Sequence, residues 1–229
     1  MIFILKNTAK FKDLVFHFLI YSILAVIVIE TVPPSGIKLD VFTYPSNISF
    51  LLCPAFLFYI NRRSRTISHI FCMTRLNSNY RMFILRQKYL LIETILFGLP
   101  FLFLFILFHN VYQGSRHFSY YMLVFIQFIL VFLQIVMIST CIHLLTRNEV
   151  LGPMLIMGLI VYDYFAVLGH FFFYFSFFLD PLLSVIDNTN NTILNIHTVG
   201  ITIVRCIFIF ILGVVLFNEK FTYKTSDIL

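Results

Sequence analysis

Across 229 residues the chain is 60% hydrophobic and only 11% charged, with a net charge of +6 and a mean hydropathy of +0.96. Soluble domains average about 25% charged residues, so this chain has too little polar surface to face water all round, and its solvent is lipid. The positive charge suits anionic lipid rather than nucleic acid, because nearly all of it falls in the segments expected on one side of a bilayer.

A crossing helix needs about 20 apolar residues. Six stretches offer one, near 14–32, 42–60, 89–109, 119–143, 151–170 and 199–217. Lys6, Lys10 and Lys12 precede the first, which is long for a signal-peptide core and is followed by no small-x-small cleavage site. It is expected as an uncleaved span. Pro33 to Asp40 then reads as a short extended loop, and the second stretch is interrupted by Pro45 and Pro54, which neighbouring helices make tolerable.

Between Asn61 and Lys88 come seven basic residues and no acid: Arg62, Arg63, Arg65, Arg75, Arg81, Arg86 and Lys88. Within that loop, Ile67, Ile70 and Phe71 fall at helical spacing on one side of Thr66–Met73, among Ser68, His69 and Cys72. A short amphipathic helix along the inner surface is expected there. It suits a groove of a cytoplasmic protein and an anionic lipid surface equally well. Glu93, about a turn into the third stretch, is expected to snorkel to the inner surface or to pair with these arginines.

In the fifth and sixth stretches, Asp163 and Arg205 each lie about 18 Å from the inner boundary at 1.5 Å rise per residue. A charge at that depth costs about 2.5–3.5 kcal/mol on insertion scales. An Asp163–Arg205 ion pair locking the fifth span to the sixth is therefore expected; the functional alternative is a proton relay of Asp163 with His170. A helix running from Leu151 through Leu179 would be about 44 Å long, against roughly 30 Å of hydrocarbon. Residues 171–197 are thus expected as a pair of short re-entrant segments in the outer leaflet, stopping first at Asp180-Pro181 and turning at Asp187 to Thr192.

Orientation follows from Lys and Arg. With the N-terminus inside, thirteen of the 16 fall in inner segments, Lys38 and Arg116 fall outside, and Arg205 lies within a span. Both termini are expected in the cytoplasm. Residues 1–229 read as one transmembrane domain, since no inner segment approaches the ~50 residues that a catalytic or nucleotide-binding domain requires. The scattered histidines and the four cysteines show no metal spacing, and no phosphate loop or nucleophile signature occurs. No enzyme activity and no cofactor are expected, and the energy source must be an ion gradient or a separate subunit.

Six spans with both ends inside, the loop Arg62-Arg63-Ser64-Arg65 with Asn79-Tyr80-Arg81 and Arg86-Gln87-Lys88, an extended outer connection between the last two spans and the tail at Lys224-Thr225-Ser226-Asp227 occur together. This pattern resembles the permease subunit of type-2 ABC exporters, in particular the small ones of peptide export and bacteriocin immunity. The resemblance covers nearly the whole chain as topology. It implies an all-α polytopic fold in the bacterial cytoplasmic membrane. Residues 64–78 would act as a coupling helix on a separate cytoplasmic ATPase, with Arg62, Arg65, Ser68, His69, Phe71 and Arg75 in the docking surface. It also implies a permease dimer, and an amphipathic or apolar cargo such as a peptide or lipid-like compound. The amphipathic elbow helix that opens the family has only Thr8 to Phe16 available here. Two other readings remain: an immunity or sensor protein that binds a toxin peptide at the outer face, and a proton-coupled carrier using Asp163.

Overall fold

The computed structural model describes residues 11–30, 45–58, 60, 79–112, 116–146, 151–169, 176, 178–187 and 192–226, and every element among them is helical. In chain order these are α1 (Phe11–Glu30), α2 (Pro45–Phe58), α3 (Asn79–Tyr112), α4 (Phe118–Thr146), α5 (Leu151–Val167), α6 (Leu179–Asp187) and α7 (Thr192–Ser226). Three are long and apolar enough to cross a membrane: Arg86–Val111 of α3, Phe118–Ile142 of α4 and Ile193–Leu216 of α7. Three more are apolar but shorter, Val15–Ile27, Pro45–Phe58 and Leu151–Val167. With the composition, these helices mark a membrane protein.

Helix α3 shows how such a sequence folds. Glu93, Phe97, Phe101, Phe105 and His109 recur every fourth residue and are all buried, one stripe along the helix. The opposite face carries Leu91, Leu99, Phe103 and Leu107, large apolar residues left uncovered by protein, as lipid allows. Phe97 is where four helices meet. Its ring lies 5.3 Å from Tyr21 of α1, 4.8 Å from Phe56 of α2 and 5.3 Å from Phe132 of α4. Each edge or offset contact adds about 0.5–1.5 kcal/mol beyond area burial. Helix α4 is the central post, packed against α3, α5, α6 and α7, while α1 leans on α3.

Proline shapes two helices. Ile48–Leu52 of α2 is a π-helical turn, closed by the Cys53 N–H donating to the Ile48 carbonyl. The wider turn sits just before Pro54, whose ring would crowd the Phe50 carbonyl in a regular α-helix. In α3, Pro100 removes one donor from within the span, and the helix continues through it. Hydroxyls in the spans bond back to the preceding turn: Thr94 to the Leu90 carbonyl, Thr140 to Val136, Thr202 to Thr198.

Several expectations change. Helices α3 and α7 run to 34 and 35 residues, about 50 Å each and well past the ~30 Å of a hydrocarbon core. Helix α3 therefore starts inside the basic loop, at Asn79, because Tyr80 to Lys88 are residues that continue a helix although Arg81, Arg86, Gln87 and Lys88 among them are polar. The expected pair of re-entrant segments is also corrected. Only the first exists as its own helix, α6. Residues 192–197 are the first turns of α7, which runs unbroken to Ser226. Asp180-Pro181 opens α6 rather than ending a helix, since proline fits the first turn, where no intrahelical donor is needed. The expected elbow is not separate over 11–16, where α1 is already continuous. The coupling segment 64–78 and the turn around Asn190 lie outside the described residues.

Candidate functional site

Four polar side chains converge where α1 crosses α3. His17 and Tyr21 stand one helical turn apart on α1, Tyr89 and Glu93 one turn apart on α3, and the two pairs face each other. The Glu93 carboxyl is wholly buried. His17 Nδ1 lies 3.0 Å from its Oε1, Tyr21 donates its hydroxyl to Oε2 at 3.1 Å, and Tyr89 donates to Oε1. Glu93 sits seven residues inside the apolar stretch that starts at Arg86, about 10 Å along the helix.

This corrects the snorkelling expected of Glu93. The carboxyl group turns sideways toward α1, where His17 and Tyr21 meet it, while Tyr89 reaches it from its own helix. The cluster sets one imidazole nitrogen and two phenol hydroxyls against a single carboxyl group. Buried ionisable groups inside a membrane are expensive and mark functional positions by default. The i, i+4 spacing of both pairs was visible in the sequence; that α1 and α3 are neighbours at that level was not.

Asp163 occupies a different kind of site. It is fully buried near the end of α5, and its Oδ2 accepts the backbone N–H groups of Phe178 at 2.7 Å and Leu179 at 2.8 Å. Ser176 Oγ accepts the Asp180 N–H at 2.9 Å. Together they satisfy the donors that the N-terminus of α6 leaves open, and a negative charge there also suits the helix dipole. At the other end, Tyr120 of α4 donates to the Ile186 carbonyl at 2.8 Å. The short helix is fastened at both ends, with Leu179, Leu182, Val185 and Ile186 buried between α4, α5 and α7.

Arg205 lies half-buried on α7, and among the described residues α4 and α6 pack between that helix and α5. The geometry thus gives Asp163 Oδ2 to the two amides that open α6, partners that the expected pairing with Arg205 did not include. His170, the relay partner weighed for Asp163, lies outside the described residues, as do Arg62, Arg65, Ser68, His69, Phe71 and Arg75. A third polar group lies where the end of α3 meets the start of α4: the Tyr121 hydroxyl donates to Asn110 Oδ1 at 2.6 Å, with His109 Nδ1 3.2 Å away. Deeper, Gln127 of α4 donates to Thr202 of α7 at 2.9 Å. No group of three or more His, Cys, Asp or Glu among the described residues could hold a metal ion. No protein-family model, curated protein or solved structure matches the chain.

Proposed function

We propose that this chain is the membrane-spanning subunit of an ATP-driven exporter, moving an amphipathic or apolar cargo with a separate ATPase subunit. In this reading α1 to α5 and α7 are six crossings, and both termini and the basic loop face the cytoplasm. The observation that carries it is the continuity of α3. One helix runs from Asn79, within the arginine-rich loop, into the span whose stripe packs on α1, α2 and α4. A force applied at 62–78 by nucleotide-driven closure of a partner would enter the bundle through that rod. The spans offer apolar and aromatic walls rather than a cage of charges, which suits an amphipathic peptide or lipid-like cargo.

The test is charge reversal. Arg62→Glu with Arg75→Glu is expected to abolish co-purification of an ATPase from native membranes while the chain still inserts. Unchanged association would refute docking on that loop.

A proton-coupled carrier is the second reading, favoured by the buried Glu93, His17, Tyr21 and Tyr89 group. It moves the candidate proton site from Asp163, whose Oδ2 holds α6, to Glu93. A carrier would lose pH-gradient-driven uptake or efflux in Glu93→Gln and keep its fold. An exporter would keep ATP-dependent transport in the same variant.

A further inference from the structure

Among the described residues, α1 has a narrow hold on the rest of the bundle. It packs chiefly on α3. Its covered face is His17, Tyr21 and Ala25, each four residues on from the last, while Phe16, Leu19, Ile23 and Ile27 are exposed. In lipid no hydrophobic force drives two helices together, so packing and hydrogen bonds must hold this one. Those contacts are the Glu93 bonds to His17 and Tyr21, the edge-on meeting of Tyr21 with Phe97 at 5.3 Å, and the burial of Ala25. Beside the seam a groove of about 430 Å3 already separates Phe18, Ser22 and Val26 of α1 from Pro100, Phe103 and Leu104 of α3.

The partners of Glu93 divide between the two helices. His17 and Tyr21 reach it from α1, whereas Tyr89 stands one turn away on α3 and donates to Oε1. Parting the helices would break the first two bonds and leave the third intact. Stripping a buried carboxyl group of its donors is costly, and a donor on the same helix lowers that cost.

We propose that Glu93 and Tyr89 form the latch of a side gate whose moving leaf is α1. Closed, the carboxyl group bridges to His17 and Tyr21. Open, it falls back on Tyr89, and α1 swings away to uncover the ring of Phe97, which is wholly buried here. Phe97 touches rings of α1, α2 and α4, so the gate leads from the surrounding lipid to the centre of the bundle. Its drive rests on the exporter reading: α3 begins inside the basic loop, and turning it carries Glu93 away from α1 with Tyr89 still attached. The latch itself requires no ATPase.

The test uses the full chain in phosphatidylcholine vesicles, without nucleotide or partner, photolabelled with the apolar probe trifluoromethyl(iodophenyl)diazirine and mapped by peptide mass spectrometry. Label at Phe97 is read against label at Phe103, which is already exposed on the lipid side. Tyr21→Phe removes a bond that the closed state alone makes, so labelling of Phe97 should rise about tenfold. Tyr89→Phe removes the bond on which the open state depends more, so adding it to Tyr21→Phe should bring the labelling back down. Each change deletes one hydroxyl from the same carboxyl group, and a purely structural cluster would loosen with both. A further rise in the double variant would therefore overturn the proposal, as would Phe97 labelling unchanged by Tyr21→Phe. Opposite effects of the two tyrosines in a chain that captures no ATPase would support the latch and overturn its drive.

Discussion

With Tyr21 and Tyr89 donating to its two oxygens and His17 beside one of them, Glu93 fixes three side chains at once. Replacing it by Leu leaves two phenols and an imidazole buried without their acceptor, at about 1–3 kcal/mol apiece. Glu93→Leu is therefore expected to lower the thermal unfolding midpoint in micelles sharply. Glu93→Gln keeps a carbonyl acceptor and should cost far less. Equal midpoints for the two variants would mean that the cluster contributes nothing to holding α1 on α3. The residue was singled out in the sequence, and the structure adds His17, Tyr21 and Tyr89 as its partners. A lone acid one turn into a span has the loop arginines nearest in sequence, and only the helix packing brings His17 and Tyr21 closer.

Among the elements, α6 is the one whose position depends most on a single side chain. Asp163→Ala removes the acceptor for two amides at its N-terminus, and a lost cap costs about 0.5–2 kcal/mol. Hydrogen exchange of the amides over Leu179–Asp187 should accelerate in that variant while exchange in the Phe97 cluster stays slow. Uniform acceleration throughout the chain would show instead that Asp163 holds the whole bundle. Close approach sets a second limit, at Gly213 of α7. A Cβ there would lie 2.8 Å from Phe83 Cζ and 3.5 Å from Cys141 Sγ. Gly213→Val must push α7 off α3 and α4, and overpacking of this kind typically costs about 1–3 kcal/mol; a shifted unfolding midpoint checks it.

At this scale the sequence was informative wherever hydrophobicity alone decides. The helices at Phe118–Thr146 and Leu151–Val167 begin within a residue of where the apolar stretches do. It misled where polar residues remain helical. The extra turns of α3 carry Arg81, Arg86 and Lys88, and the first turns of α7 carry Asn195 and Thr198. Low polarity finds the part of a helix that lipid covers, and backbone hydrogen bonding carries the helix beyond it. The π-helical turn of α2 had a signal in Pro54, although the same proline is equally consistent with a kink.

For the whole molecule, the account depends on the side of the membrane that the basic loop faces, since only a cytoplasmic loop can be gripped by an ATPase. Cys72 lies in that loop, and Cys53, Cys141 and Cys206 are buried. The direct measurement is labelling of a chain carrying Cys53→Ala, Cys141→Ala and Cys206→Ala with a membrane-impermeant maleimide, with Ser64→Cys as a second reporter in the same loop. Reaction only after the cells are permeabilised is the predicted result. Labelling at either position in intact cells would put the loop outside and contradict the exporter reading.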